Sequence, residues 1–204
     1  MVNTKSPVLL SFLSAAALLV AGSQALADAP AGSAAPVDEA STTLADAHFA
    51  RGKELVKQGK SAEARVEYQA ALKARKSYEA AGNLGSLEVA LGFFRDAAEH
   101  LSFAVLHAPS GTTPAQLQKA KQRLQEAKSH VAEVAIGVKV AGAEVLVDDL
   151  SVGGTPLEDS LFLEPGSHVI EARRAGFETV KLRVEVGAGS STTVTLELVA
   201  AALR

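Results

Sequence analysis

The chain has 204 residues, with 20 Lys and Arg against 23 Asp and Glu for a formal net charge of -3, and neither cysteine nor tryptophan. That inventory allows one or two small domains and removes disulfides, thiolate zinc sites, iron–sulfur clusters and cysteine nucleophiles together. Near-neutral charge and an aromatic fraction of 4% also argue against nucleic-acid binding, which needs a basic surplus and stacking rings.

Residues 1–27 read as a secretory leader. Lys5 and the amino terminus supply positive charge, residues 8–21 are apolar and uncharged, and Ala25-Leu26-Ala27 is a small-residue cleavage site. The apolar run is shorter than the roughly 20 residues of a spanning helix. The expected product is a periplasmic or secreted chain cut after Ala27, with no membrane span; an uncleaved anchor is the competing reading. Residues 28–43 (DAPAGSAAPVDEASTT) carry no large apolar side chain and predict a flexible linker.

Residues 44–131 predict a helical domain. Thr43 with Asp46 three residues on reads as a capping box opening the first helix, and Ser61 and Ser77 read as N-caps of the next two. Small positions recur at an offset of 33: Gly52 and Gly85, Gly59 and Gly92, Ala64 and Ala97, Ala71 and Ala104, with Tyr68 matched by Leu101. Small side chains at fixed offsets let antiparallel helices approach closely. Pro109 follows the second unit as a stop. A fifth helix is expected over 114–131, with Thr113 as cap, Pro114 in the first turn and an apolar seam of Leu117, Ala120, Leu124, Ala127 and Val131.

These residues resemble the tetratricopeptide repeat (TPR), whose usual period is 34. Gly52, Ala64, Tyr68 and Ala71 match its small–small–aromatic–small positions, as do Gly85, Ala97, Ala104 and Pro109, with Leu84 before Gly85. His48 and Ala81 stand where the family has tryptophan, Lys76 where proline is common, and the offset is one short. The resemblance implies a short solenoid of two repeats plus a capping helix; a plain four-helix bundle is the alternative. It also implies that the first helix of each unit lines a partner-binding groove, carrying Phe49, Lys53, Val56 and Lys57, then Asn83, Ser86, Val89 and Ala90. Asn83 matches an asparagine that holds peptide backbone. Phe49 replaces the lysine of a carboxylate clamp, which argues against capture of a C-terminal carboxylate. Packing within the stack is the competing role for Phe49 and Val56.

Beyond Val131 the apolar period becomes two, the signature of half-buried strands. Val180, Leu182, Val184 and Val186 alternate with polar residues, as do Val194, Leu196 and Leu198, across a turn at Gly187-Ala188-Gly189. Earlier strands are expected at 133–140, 143–147 and 167–173, split by turns at Asp148-Asp149, Gly153-Gly154 and Pro165-Gly166. The fold class expected is α + β as separate domains, with a small antiparallel β-sandwich at 132–204. Over 133–198 the residues resemble a PEGA domain, through Gly142-Ala143, Val145-Leu146-Val147-Asp148, Gly153-Gly154-Thr155-Pro156-Leu157, Leu163-Glu164-Pro165-Gly166-Ser167-His168 and Gly176-Phe177. Asp149 departs from the family's glycine. The resemblance implies a β-sandwich module of exported, envelope-attached bacterial proteins, without catalytic residues.

No reactive constellation emerges. Of His48, His100, His107, His130 and His168, only His100 and His107 share a helix, seven residues or about 10 Å apart, too far for one metal. Asp148-Asp149 and Glu158-Asp159 fall at expected turns, where aspartate bonds local backbone; His168 is expected to hold a turn or strand end. Phosphate-loop and nucleophile-elbow motifs are lacking. Residues 44–131 carry 13 basic and 9 acidic groups, residues 132–204 carry 6 and 11. The reading is a non-enzymatic scaffold without catalytic, metal or cofactor residues, its groove holding an envelope protein or peptide and its β domain presenting or anchoring the assembly. The alternative is a structural envelope component whose β domain meets cell-wall polymer or itself.

Overall fold

The computed structural model describes residues 39–202. The expected leader, and most of the expected linker, lie outside the described residues. Five helices come first: α1 (Glu39–Lys57), α2 (Ser61–Ala74), α3 (Tyr78–Leu91), α4 (Phe94–Leu106) and α5 (Pro114–Lys128). Seven strands follow: β1 (Ala132–Val138), β2 (Glu144–Val147), β3 (Leu150–Gly154), β4 (Leu161–Leu163), β5 (Gly166–Arg173), β6 (Val180–Val186) and β7 (Ser191–Leu196).

Helix ends follow local chemistry, with two corrections. Ser77 caps α3 by accepting from the Ala80 N–H, and Thr113 with Gln116 makes a reciprocal capping box on α5. Thr43, by contrast, lies inside α1, its hydroxyl donating to the Glu39 carbonyl 2.9 Å away. The helix therefore starts five residues before the expected boundary at Leu44. Ser61 is the first residue of α2 and not its cap; that position falls to Lys60, which makes no side-chain cap bond.

The 33-residue offset reports a packing device. α1 packs on α2 and α3 on α4 as helical hairpins. A Cβ built on Gly52 would stand 2.6 Å from Tyr68 Cε1, and one on Gly85 2.6 Å from Leu101 Cγ. The ring and the isobutyl group thus fill the space each glycine leaves open. Gly59 and Gly92 end the first helix of each hairpin with φ of 74° and 81°, the left-handed conformation that glycine adopts without a Cβ clash.

α5 closes the helical stack. Val89, Ala97, Ala98, Leu101, Ala127 and Val131 form one buried cluster with Phe94 and Leu124 on its border. Phe162 of β4 joins it, only 5% exposed. The β region is thereby fastened to the helices by an aromatic plug, supported by the Lys128–Glu133 ion pair at 2.5 Å.

The strands form two sheets, ordered β4-β1-β7 and β3-β2-β5-β6. Val134, Ile136, Val145, Val147, Ile170, Ala172, Val194 and Leu196 are buried in their shared core. Three expectations are corrected here. β1 and β7 pair in parallel, because β7 returns to β1 only after the chain has built the whole second sheet, a crossover and not a hairpin. Gly153 and Gly154 belong to β3, opposite Val145 and Glu144, so β2 and β3 are joined by a turn at Asp148-Asp149 alone. Leu182 has the parity of the buried row but is 41% exposed on β6, an edge strand of the larger sheet.

Candidate protein-binding surfaces

On α1 the spacing of Phe49, Lys53 and Val56 places the three on one stripe. Phe49 is half-buried against Tyr68, ring centroids 5.7 Å apart, and the Lys53 ammonium stands 5.7 Å over its ring. Val56 is 43% exposed. Lys57 is exposed and pairs with Glu54 at 3.3 Å. Phe49 therefore packs the first hairpin against Tyr68, with the Lys53 ammonium over its ring.

On α3, Ser86 is half-buried and its hydroxyl donates to the Gly82 carbonyl at 2.7 Å; the exposed Asn83 donates its amide to the Glu79 carbonyl at 2.8 Å. Ala90 is exposed. Val89 is a correction: it is 5% exposed within the cluster beneath α5 and is withdrawn from the groove set. Periodicity marks two apolar faces on α3 without saying which one α5 covers. Among the described residues, no hydrogen bond or ion pair joins the α1 set to the α3 set.

A second concavity lies between α4 and the segment joining β3 to β4. It has a volume of about 730 Å³, and Lys76, Glu99, Phe103, Leu106, Leu157 and Asp159 are among its lining. Partial burial pushes the Glu99 carboxyl above its ordinary value against the opposing pull of Arg95. In the sequence Lys76 and Leu157 entered only as motif positions and Asp159 only as a turn residue, while Glu99, Phe103 and Leu106 carried no signal.

The polar clusters are structural in their bonding. Glu88 of α3, wholly buried, accepts from Arg65 Nε at 3.0 Å and pairs with His100 Nδ1 at 2.6 Å. Arg65 also reaches Asp96 at 2.6 Å and lies under the Phe93 ring, so one guanidinium ties α2, α3 and α4. His48 meets Glu67 at 2.7 Å across the first hairpin.

His168 spans two turns of the β region. Its Nδ1 meets Asp148 Oδ2 at 2.6 Å and its Nε2 meets the Glu164 carbonyl at 2.8 Å. Both partners only accept, so the two contacts favour the ring with a proton on each nitrogen, the imidazolium. Burial is the largest single influence and pulls its pKa down; Asp148, the Glu164 carbonyl and Glu185 together outweigh it and hold the pKa above the ordinary value. Asp148 is held low by the Val169 N–H and then by His168. Asp148 and Asp149 adopt φ of 49° and 66°, so the carboxylate clamp secures a turn in which the usual glycine is replaced. Thr155 likewise locks its segment, donating to the Val140 carbonyl at 2.6 Å and accepting from the Ala143 N–H at 2.9 Å.

Among the described residues, no cluster of three His, Asp or Glu side chains is placed to hold a metal, and no helix is long and apolar enough to cross a membrane. Residues 131–202 match the PEGA domain family model, a module of extracellular and periplasmic proteins. Among curated proteins, none matches the chain.

Proposed function

We propose that this chain is an exported, non-catalytic adaptor, cut after Ala27, whose TPR-like helical half holds a partner protein of the bacterial envelope while its PEGA-like half presents or anchors the assembly. The observation that carries the reading is the pairing of two like-built hairpins, each locked through a glycine 33 residues from its counterpart, with a β module of envelope type. The stripe of Phe49, Lys53 and Val56 on α1 and the exposed Asn83 and Ala90 on α3 are the surfaces offered. The histidine and carboxylate pairs support a non-catalytic role, because His168, Asp148 and Glu88 spend their polar atoms on turns and helix contacts.

Capture of an envelope protein by the immobilised full chain tests this. Lys53→Glu with Val56→Asp alters exposed side chains only, so the melting temperature should move by no more than about 2 °C. Capture is expected to fall at least about tenfold. Undiminished capture by that variant refutes the α1 surface; absence of any captured envelope protein refutes the adaptor reading.

A further inference from the structure

The concavity between α4 and the β3–β4 segment is separate from the α1 stripe and is made jointly by the helical and β halves. Its lining includes three apolar side chains: Phe103 and Leu157, both half-buried, and Leu106, 68% exposed. A leucine so open beside a pre-formed hollow loses solvent-exposed apolar area only if something sits on it. The volume of about 730 Å³ holds a few side chains, within the range of specific binding pockets.

Charge restricts what that occupant is. Glu99, Glu158 and Asp159 line the hollow. Glu158 and Asp159 make no ion pair among the described residues, and the one pair of Glu99 is the long Arg95 contact at 3.3 Å. Against them stand Lys76, held 5.9 Å over the Phe103 ring, and His107, stacked on the same ring at 4.1 Å with Nδ1 donating to the Phe103 carbonyl. Three carboxylates thus face one lysine. The walls also include β3 and β4, each an edge strand with a neighbour on one side only. Edge strands accept extended segments through their unpaired backbone.

We propose that this hollow docks an extended, basic–apolar peptide segment of a partner protein, its apolar side chain on Phe103, Leu106 and Leu157 and its Lys or Arg against Glu99, Glu158 and Asp159. The site binds independently of the α1 stripe, and it exists only while the two halves stay joined.

Fluorescence anisotropy on the full chain tests it, with a labelled peptide GKVLRVKG and its charge-reversed counterpart GEVLEVEG at low ionic strength. The basic peptide is expected to bind at least about tenfold more tightly than the acidic one. Leu106→Asp, or Leu106→Ser where the aspartate perturbs the fold, reduces that affinity by about tenfold or more. Glu158→Lys with Asp159→Lys shifts the preference toward the acidic peptide, and Arg183→Glu on β6 leaves both affinities unchanged. Equal affinity for the two peptides overturns the proposal. So does binding that survives both Leu106 substitutions, or binding lost in Lys53→Glu, Val56→Asp but kept in Leu106→Asp.

Discussion

Replacing Phe162 by alanine tests how the two halves are held together. Among the described residues, Phe162 is the sole member of the α5 cluster from beyond Val131. Three of its cluster partners, Ala97, Ala98 and Ala127, are alanines, with no rotamer to swing into the space the ring vacates. The cavity should therefore persist, which puts the cost toward the upper part of the usual 3–5 kcal/mol for a buried Phe→Ala change. At about 2–4 °C per kcal/mol for a chain of this size, about 4 kcal/mol lowers the melting temperature by about 8–16 °C. Both tyrosines, Tyr68 and Tyr78, lie in the helical half, so tyrosine fluorescence during urea unfolding follows that half alone. Regional amide hydrogen exchange follows the strands. Wild type should lose both signals together, whereas Phe162→Ala should separate them and speed exchange in β4. Phe162→Leu, which refills most of the volume, should cost less than about 1.5 kcal/mol. A loss under about 1 kcal/mol for the alanine variant, or equal losses for alanine and leucine, would refute the plug.

Other substitutions probe separate links. Gly52→Ala and Gly85→Ala gain helix propensity worth about 1 kcal/mol, yet each new methyl meets Tyr68 or Leu101 at 2.6 Å. Each should destabilise by a net 1–2 kcal/mol or so in chemical denaturation; a stabilised variant would show that the hairpins yield. Arg65→Ala leaves the fully buried Glu88 with His100 as its only ion-pair partner among the described residues and should cost about 3 kcal/mol, much of it recovered when Glu88→Leu is added, as a double-mutant cycle would reveal. The raised pKa of His168 means that its stabilisation is complete below its ordinary value of 6.5 and fades as pH rises through the native value. The lowered pKa of Asp148 means that its share is complete above its ordinary 3.8 and fades as pH falls through the depressed one. The melting-temperature gap between wild type and His168→Gln should thus be widest between those ordinary values and narrow as pH rises through the raised native value; a gap constant with pH would exclude the imidazolium clamp.

By itself the sequence determined that helices precede strands, that two helical units share a 33-residue offset, where α3 and α5 are capped, and the PEGA-like motif that the family model matches. Each of these is a local or periodic signal: a cap lies within three residues of its donor, and a glycine facing Tyr68 or Leu101 repeats because the hairpin repeats. The tertiary structure alone decided which of two apolar faces α5 covers, and so removed Val89 from the open surface. It alone decided that β1 pairs with β7 in parallel, since pairing between strands more than fifty residues apart leaves no trace in alternation. β3 and β4 passed unread because β3 is mostly exposed and glycine-ended and β4 has only three residues, too few for a period. The hollow beside Leu106 belongs to the same class. It exists because Phe162 of a strand lodges among alanines of helices far earlier in the chain, and the segment before that strand then stands opposite α4.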